Sequence, residues 1–218
     1  MSQGWEDRMS QVIDTLDRAR RLGFLGSAPV ESHIVHARGF VSVLDGIQPP
    51  RTVLDLGSGA GVPGLVMAWM MPETRMVLLD SNLRKTKFLT EAVVALGLGE
   101  QVTVVRERAE VLGRLPEWRE ALDVVVARAF GTSANVAECG AGLLAVGGRL
   151  IVSEPPPVAR ALVRPAERWP LAGLDIVGMA PGGRLERGGF GFQILEKVSR
   201  IPEIYPRRRG LPGTRPLF

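Results

Sequence analysis

The sequence has 218 residues, enough for one α/β domain with small additions and too few for two full-sized domains with separate cores. Its hydrophobic residues (45%) and charged residues (23%) are present in ordinary proportions for a folded globular protein, which excludes wholesale disorder. The formal net charge is +4, and the longest apolar stretch, Val62 to Met71, falls short of the roughly 20 residues that cross a bilayer.

The start of the chain reads Trp5, Glu6, Asp7 and Arg8, without the basic segment and apolar run of a secretory signal. The single cysteine, Cys139, cannot form an internal disulfide and suits a reducing compartment. We therefore expect a cytoplasmic protein, with Cys139 as a small core residue on a helix. We also expect a monomer that associates with no membrane.

Two helices are predicted within residues 1–50. Apolar residues follow helical spacing from Trp5 to Leu16, and Gly23 is placed to end that helix. A second helix is predicted from Val30 to Leu44, after the short linker 26–29, which reads Gly-Ser-Ala-Pro. These residues form the predicted N-terminal helical extension.

Residues 51–200 are predicted to form one Rossmann-like α/β domain. Its strands are Val53 to Leu56, Met76 to Leu79, Val102 to Val105, Asp123 to Ala127 and Leu150 to Val152. Segments of helical length separate these strands, so the sheet should be mostly parallel with right-handed crossovers. Two further strands, Leu174 to Met179 and Phe190 to Val198, flank a turn rich in glycine (182, 183, 188 and 189), which predicts a C-terminal antiparallel hairpin at one edge.

Residues 201–218 form a basic C-terminal tail. Five arginines lie between positions 200 and 215, opposed there only by Glu203, which predicts a polyanionic partner. Prolines 206, 212 and 216 disfavour a regular helix and favour an extended tail. The alternatives are a solvated tail with no partner, or arginines that pair with acidic residues of the protein itself.

A glycine loop follows the first predicted strand, with the sequence Asp55-Leu-Gly57-Ser58-Gly59-Ala-Gly61. Glycines at alternate positions allow a sharp turn and the close approach of a ligand. Gly59, Gly61 and Gly64 also match the spacing GxGxxG, so a dinucleotide site is one alternative. A tight turn with no ligand is another.

Charge favours S-adenosylmethionine over a dinucleotide. A carboxylate at Asp55 would repel a pyrophosphate but favours the sulfonium and ammonium groups of S-adenosylmethionine. Asp80 closes the second predicted strand, where a carboxylate can accept hydrogen bonds from ribose hydroxyls. Asp80 could instead cap the helix that begins near Leu83. An antiparallel last strand is typical of class I methyltransferases.

The two histidines, His33 and His36, lie three residues apart on the second predicted helix. That spacing permits a shared metal ion, but no cysteine or carboxylate cluster accompanies them, so we expect no metal site.

Several short motifs occur in an order that resembles the RsmG family, also called glucose-inhibited division protein B. They are the loop from Asp55 to Gly61, Asp80-Ser81, Arg84-Lys85 with Phe88-Leu89, Arg108-Ala109-Glu110, Arg128-Ala129-Phe130, and Tyr205-Pro206-Arg207-Arg208 with Pro212 and Pro216-Leu217. The resemblance runs from about Arg51 to Phe218. It implies methylation of guanine N7 in small-subunit ribosomal RNA, with S-adenosylmethionine as cofactor and ribosomal RNA or the small subunit as partner.

The resemblance also implies roles for individual residues. Arg128 would orient the cofactor or the target base and is the one predicted catalytic residue. The predicted cofactor-binding residues are Asp55, Gly57, Ser58, Gly59, Gly61, Asp80, Ser81, Ala109, Glu110 and Arg128. The predicted RNA-binding residues are Arg84, Lys85, Arg207, Arg208 and Arg209.

The chain departs from the family pattern at two places. The segment before the glycine loop keeps only one histidine that matches, which is His36. The fifth strand runs into Ser153-Glu154-Pro155, where the family has Lys-Gly, and a carboxylate there disfavours a phosphate. Two alternatives follow: a methyltransferase acting on a small molecule or another acceptor, and a non-catalytic cofactor-binding module or dinucleotide enzyme.

Overall fold

The computed structural model describes residues 3–155, 169 and 172–218. Helices α1 (Gln3–Arg21) and α2 (Val30–Val43) form the N-terminal part, joined by the predicted linker. Val12 and Leu16 of α1 are buried with Val30 and Ile34 of α2, so the apolar face of each helix is covered by the other and by neighbouring residues of the domain.

Strands and helices then alternate along the chain. In order they are β1 (Thr52–Leu56), α3 (Gly64–Met70), β2 (Arg75–Leu79), α4 (Leu83–Ala95), β3 (Val102–Val105), α5 (Ala109–Leu112), β4 (Leu122–Ala127), α6 (Ser133–Leu143), β5 (Leu144–Ser153), β6 (Met179–Arg187), β7 (Phe190–Lys197) and α7 (Leu211–Thr214). The described strands form one seven-stranded sheet in the order β3-β2-β1-β4-β5-β7-β6. The predicted fold class is confirmed.

The sheet is parallel from β3 to β5, whereas β7 runs antiparallel to both β5 and β6. The chain order reverses at β1, which lies between β2 and β4 with Leu56 level with Leu79 and Ala127. Open sheets bind ligands outside the carboxyl ends of the strands at such a reversal. The sheet therefore places the glycine loop, Asp80 and Arg128 together at the carboxyl ends of its parallel strands.

Both faces of the sheet are covered by helices. Phe40, Leu65 and Leu89 pack on one face with Val53, and Val136 and Leu143 pack on the other with Leu54. Cys139 is fully buried on α6, as predicted, and burial raises the pKa of its thiol well above the usual value. Among the described residues, no helix is long and apolar enough to span a membrane.

One predicted strand is wrong. The run from Leu174 to Met179 contains a 3₁₀ helix (Leu174–Val177), and β6 begins only at Met179. Gly173 and Gly178 bracket this turn in left-handed conformations, and Leu174 and Val177 are buried three residues apart. The hairpin turn lies at residues 188–189, whereas Gly182 and Gly183 belong to β6 beside a register shift.

The C-terminal tail is docked against the domain and is not simply extended. Residues 211–214 form a helical turn, and Pro212 is buried. The Arg207 guanidinium pairs with the fully buried Glu138 of α6, with Nη2 to Oε2 at 2.7 Å and Nε to Oε1 at 3.0 Å. The Arg207 backbone N–H also donates to Glu138 at 2.7 Å. Arg207 therefore anchors the tail. This agrees with the alternative prediction that arginines of the tail pair with acidic residues of the protein itself.

We expect Arg207→Ala to destabilise the fold, because it leaves the Glu138 carboxylate buried without its cationic partner. Removing one partner of a buried pair costs about 3 kcal/mol. Urea unfolding should show a lower midpoint with an unchanged slope, while Arg208→Ala, which alters an exposed neighbour, should leave the midpoint in place. Equal midpoints for Arg207→Ala and the parent would contradict this anchoring role.

Candidate active site

The glycine loop joins β1 to α3 in a conformation that side chains disfavour. Gly57, Gly59 and Gly61 all have positive φ, at 75°, 57° and 87°. The N–H groups of Gly57 and Ser58 both donate to the carbonyl of Leu79 at 2.9 Å, which ties the loop to the end of β2. Ser58 is buried, and its hydroxyl donates to the carbonyl of Asp55 at 2.8 Å. Ser58 thus stabilises the turn itself.

Asp55 lies behind this loop. Its Oδ2 accepts a hydrogen bond from the N–H of Gly64 at 2.9 Å, at the start of α3. Burial raises the pKa of Asp55 to about 7, although the hydrogen bonds and the charge of Arg128 act in the opposite direction. Gly64, the third glycine of the dinucleotide-like spacing, has no room for a Cβ, since Leu78 and Asp55 surround it. Asp55 and Gly64 therefore hold α3 against the loop.

Asp80 connects the loop to helix α4. Its Oδ2 accepts from the N–H of Gly59 at 3.0 Å, and its Oδ1 accepts from the N–H of Asn82 at 2.8 Å. The side chain of Asn82 accepts from the N–H groups of Arg84 and Lys85, so Asn82, and not Asp80, is the N-cap of α4. The carboxylate is therefore fixed at the carboxyl end of β2, where a ribose-binding acid is expected.

A cavity of about 280 Å³ opens beside Asp80. Of the predicted cofactor- and RNA-binding residues, those that line it are Gly57, Asp80, Ser81, Lys85, Ala109 and Glu110. Sequence analysis did not assign the other lining residues, which are Leu79, Glu107, Arg108, Ala129, Phe130 and Asn135. Arg108, Ala129 and Phe130 belong to the family motifs named above, and that membership is the sequence signal that could have identified them as lining residues. The predicted residues Asp55, Ser58, Gly59, Gly61 and Arg128 lie outside this lining.

The lining suits S-adenosylmethionine. The backbone of Gly57 lines the cavity, and the anchored carboxylate of Asp80 can accept from vicinal hydroxyls. The cavity is lined by both carboxylates and cations, and its carboxylates Asp80 and Glu107 suit the sulfonium and ammonium groups of this ligand.

A strained residue follows β4. Ala129 has φ of 53°, in the left-handed region, which costs a residue other than glycine about 1 kcal/mol. The residues on either side of Ala129 make contacts in different places. Phe130 lines the cavity and lies against Gly57, whereas Arg128 contacts helix α2. A Cβ at Gly57 would lie 2.6 Å from the Phe130 ring, so the loop and the aromatic ring need this glycine.

Arg128 contacts a residue that sequence analysis had not placed near the loop. The Nη2 atom of Arg128 lies 2.9 Å from Nδ1 of His33. The other terminal nitrogen, Nη1, is buried and has no hydrogen-bond partner among the described residues. His33 and Arg128 are 95 positions apart in sequence, so no local pattern indicated the contact.

His36 lies in an aromatic stack. Its ring is parallel to that of Phe190 at 4.1 Å, and burial lowers its pKa to about 3, with help from the charge of Arg128. Within the described parts of the chain, no group of three potential ligands is placed to hold a metal ion.

Glu110, one of the predicted cofactor-binding residues, accepts hydrogen bonds from Nε of Arg108 at 2.6 Å and from the N–H of Gly210 at 2.8 Å. Burial raises the pKa of Glu110, but these hydrogen bonds outweigh it and the pKa is lowered. The tail therefore docks directly on a residue that lines the cavity.

The carboxylate of Glu154 is neutralised by a partner on β6. Arg184 binds it with two hydrogen bonds, Nε to Oε1 at 2.8 Å and Nη2 to Oε2 at 2.9 Å. Only 2% of the Glu154 side chain is exposed, and the interaction raises the pKa of Arg184. Because the pair is internally compensated, Glu154 does not present the free negative charge expected from the sequence.

The predicted RNA-binding residues divide into two groups. Arg84, Arg208 and Arg209 are exposed, and Lys85 lines the cavity, whereas Arg207 is bound to Glu138. Arg208 and Arg209 directly precede Gly210, which bonds to Glu110 at the same cavity. The exposed arginines of the tail and Lys85 therefore lie beside the site, whereas the guanidinium of Arg84 lies over the Phe24 ring, 5.7 Å from its centroid.

Comparison with known proteins relates the chain to one family and one fold. The family model described as rRNA small subunit methyltransferase G matches residues 28–154. Ribosomal RNA small subunit methyltransferase G of Roseiflexus castenholzii is 37% identical over 172 residues, covering 78% of this chain and 72% of that protein. The protein of the same name from Syntrophomonas wolfei is 35% identical over 193 residues, covering 88% of each.

Two solved structures show the same fold at low sequence identity. An O-methyltransferase family protein from Burkholderia thailandensis has a TM-score of 0.54 and 18% identity, covering 78% of this chain and 58% of that one. The structure of PigF with SAH has a TM-score of 0.59 and 20% identity, covering 84% of this chain and 59% of that one.

Proposed function

The chain belongs to the family of ribosomal RNA small subunit methyltransferase G, and from this membership we propose that it methylates N7 of a guanine in small-subunit ribosomal RNA. It is an S-adenosylmethionine-dependent methyltransferase. The observation that carries the proposal is the glycine loop and the anchored Asp80 at the mouth of a cavity beside exposed arginines.

Methyl transfer to guanine N7 needs no general base. S-adenosylmethionine, when bound, supplies a methyl group on a sulfonium. Guanine N7 has an in-plane lone pair and no proton to lose, so the nitrogen attacks the methyl carbon while the carbon–sulfur bond breaks. The residues of the protein therefore align the two reactants and exclude water.

Each side of the cavity has its own part in this alignment. Gly57, Asp80 and Ser81 hold the methionine and ribose portions, and Ala109 with Glu110 forms the adenine side. Arg128, fixed at the end of β4, orients the reacting groups. The glycine loop and the helix starts around it need no movement to adopt this geometry, because their backbone hydrogen bonds are already made.

RNA is held by Lys85, Arg208 and Arg209 beside the cavity and by the exposed Arg84 of α4. We expect Arg208→Ala with Arg209→Ala to flatten the salt dependence of RNA binding. Each phosphate contact contributes roughly 0.7 to 0.9 log units of affinity per log unit of salt, so the loss is about 1.5 in slope. Filter binding between 50 and about 200 mM salt measures it, with Arg75→Ala as a control for an exposed arginine at the opposite end of the sheet.

Calorimetry of the double variant should give the parent's affinity for S-adenosylmethionine, because neither arginine lines the cavity. An unchanged salt slope would remove the tail from the RNA interface.

A small-molecule acceptor is the second candidate. The altered fifth strand favoured it, but the pairing of Glu154 with Arg184 removes that argument. The proposal is tested by offering the protein labelled S-adenosylmethionine with small subunits, with naked ribosomal RNA and with no RNA, and by measuring label in each macromolecule. Label in RNA supports it, and RNA that stays unlabelled with a protein that binds S-adenosylmethionine contradicts it.

A further inference from the structure

A buried contact ties the N-terminal helices to the end of β4. His33 lies in the first turns of α2 and is only 6% exposed. Its Nδ1 meets Nη2 of Arg128 at 2.9 Å. This is the one hydrogen bond to another side chain that either residue makes among the described residues, and it orients the guanidinium.

The chemistry of the two groups fixes the direction of this hydrogen bond. A guanidinium has donors only, so Nδ1 of His33 must be the acceptor and carry no proton. Burial lowers the pKa of His33, and the charge of Arg128 lowers it further, although the carbonyl of Gly26 acts in the opposite direction. A neutral ring with its proton on Nε2 is consistent with the contact to Arg128, although Nε2 is itself buried without a hydrogen-bond partner among the described residues.

The same contact leaves the other end of the guanidinium available. Nη1 of Arg128 is buried and has no partner among the described residues, which is costly for a charged donor. Burial lowers the pKa of Arg128, and the charge of the fully buried Asp55 behind the loop acts in the opposite direction, but the carboxylate of Asp55 accepts its hydrogen bond from Gly64. A buried, oriented and unused donor is complementary to an oxygen acceptor on a ligand.

We propose that His33 is a positioning residue that orients Arg128, so that its free Nη1 donates to an oxygen of the reacting complex. This rests on the proposed function. The oxygen has two possible sources, the carboxylate of the cofactor's methionine portion and O6 of guanine, which is adjacent to the attacking N7. Sequence motifs assign His33 no role, and His33 acts on either source through Arg128.

Kinetics of three variants tests the proposal. His33→Ala removes the acceptor and should lower kcat/KM for methyl transfer about tenfold, the effect usual for losing a supporting contact. His33→Asn places an amide oxygen near the position of Nδ1 and should restore most of the activity. Ser32→Ala, at an exposed neighbour on the same helix, should leave kcat/KM unchanged. Equal activity of His33→Ala and the parent would overturn the proposal.

The kinetic constants identify the oxygen. A higher dissociation constant for S-adenosylmethionine, measured by calorimetry without RNA, assigns Nη1 to the cofactor carboxylate. An unchanged cofactor affinity with a lower kcat assigns it to the guanine. A loss of thermal stability alone, with parental kinetics and cofactor affinity, assigns His33 to packing and overturns the proposal.

A spectroscopic measurement separates this inference from the proposed function. The ring nitrogens of ¹⁵N-labelled His33 should report a neutral Nε2–H tautomer, and the Nδ1 resonance should shift in Arg128→Ala. If the parent methylates no RNA, the proposed function fails, and this shift still decides whether His33 orients Arg128. An Nδ1 resonance that is indifferent to Arg128→Ala would refute the contact.

Discussion

Asp80→Ala should lower the affinity for S-adenosylmethionine by ten- to about a hundredfold. The Asp80 carboxylate accepts from the N–H groups of Gly59 and Asn82, so its loss both removes the ribose acceptor and frees the loop from α4. A hydrogen bond to a charged group contributes roughly 1.5 to 3 kcal/mol, which corresponds to that range. Isothermal calorimetry with S-adenosylmethionine measures the change.

Two further variants separate the causes in this prediction. Asp80→Asn retains one acceptor for Gly59 and should lose less affinity than Asp80→Ala. Glu100→Ala removes an exposed carboxylate that does not line the cavity and should bind as the parent does. Parental affinity in Asp80→Ala would show that the cofactor does not bind at the carboxyl end of β2.

Arg128→Ala should lower kcat about a hundredfold with a smaller effect on RNA affinity. Its guanidinium is the one cation held at the end of β4, oriented by His33 and placed by the left-handed Ala129. Removing a preorganised charged donor at a reacting centre typically costs about 10² to 10³ in kcat. Arg128→Lys should also be impaired, because an ammonium cannot reach His33 and a ligand oxygen at once as the planar guanidinium does.

Single-turnover methylation of RNA measures this loss, and thermal melting measures any damage to the fold. Removing Arg128 takes away a charge that lowers the pKa of Asp55, so we expect Asp55 to become protonated and to limit the loss of stability. Arg75→Ala serves as the control for loss of an arginine. Parental kcat in Arg128→Ala would exclude Arg128 from the reaction.

The sequence was sufficient to predict the features that depend on local pattern. Alternate glycines after a buried strand and an acid at the end of the next strand predicted the loop and Asp80. The regular alternation of strands and helix-length segments predicted the parallel sheet. These features need only neighbouring residues, because the parallel topology brings the carboxyl ends of β1, β2 and β4 together.

Contacts between distant segments could not be predicted in this way. Arg207 looked like a free cation because its partner, Glu138, lies 69 positions away on α6. Glu154 looked like an isolated charge because Arg184 reaches it only across the antiparallel hairpin. In both cases the fold pairs a charge that the local sequence leaves unpaired.

The strand predicted at Leu174 failed for a different reason. Short apolar runs fit a strand or a helical turn equally well, and the deciding residues were the flanking glycines at 173 and 178, which adopt φ of 86° and 70°. The spacing of three between the buried residues Leu174 and Val177 was the helical signal in this run.

The most direct test of guanine-N7 methylation is to map the position of the transferred methyl group in the RNA. The protein is incubated with S-adenosylmethionine and small ribosomal subunits that lack N7-methylguanine, and the RNA is then reduced and treated with aniline, which cleaves the chain at N7-methylguanine. We expect one new cleavage at a single guanine, which is present with the parent protein and strongly reduced with Asp80→Ala and Arg128→Ala. Methylation at another atom, or no transfer to RNA by a protein that binds S-adenosylmethionine, would contradict it.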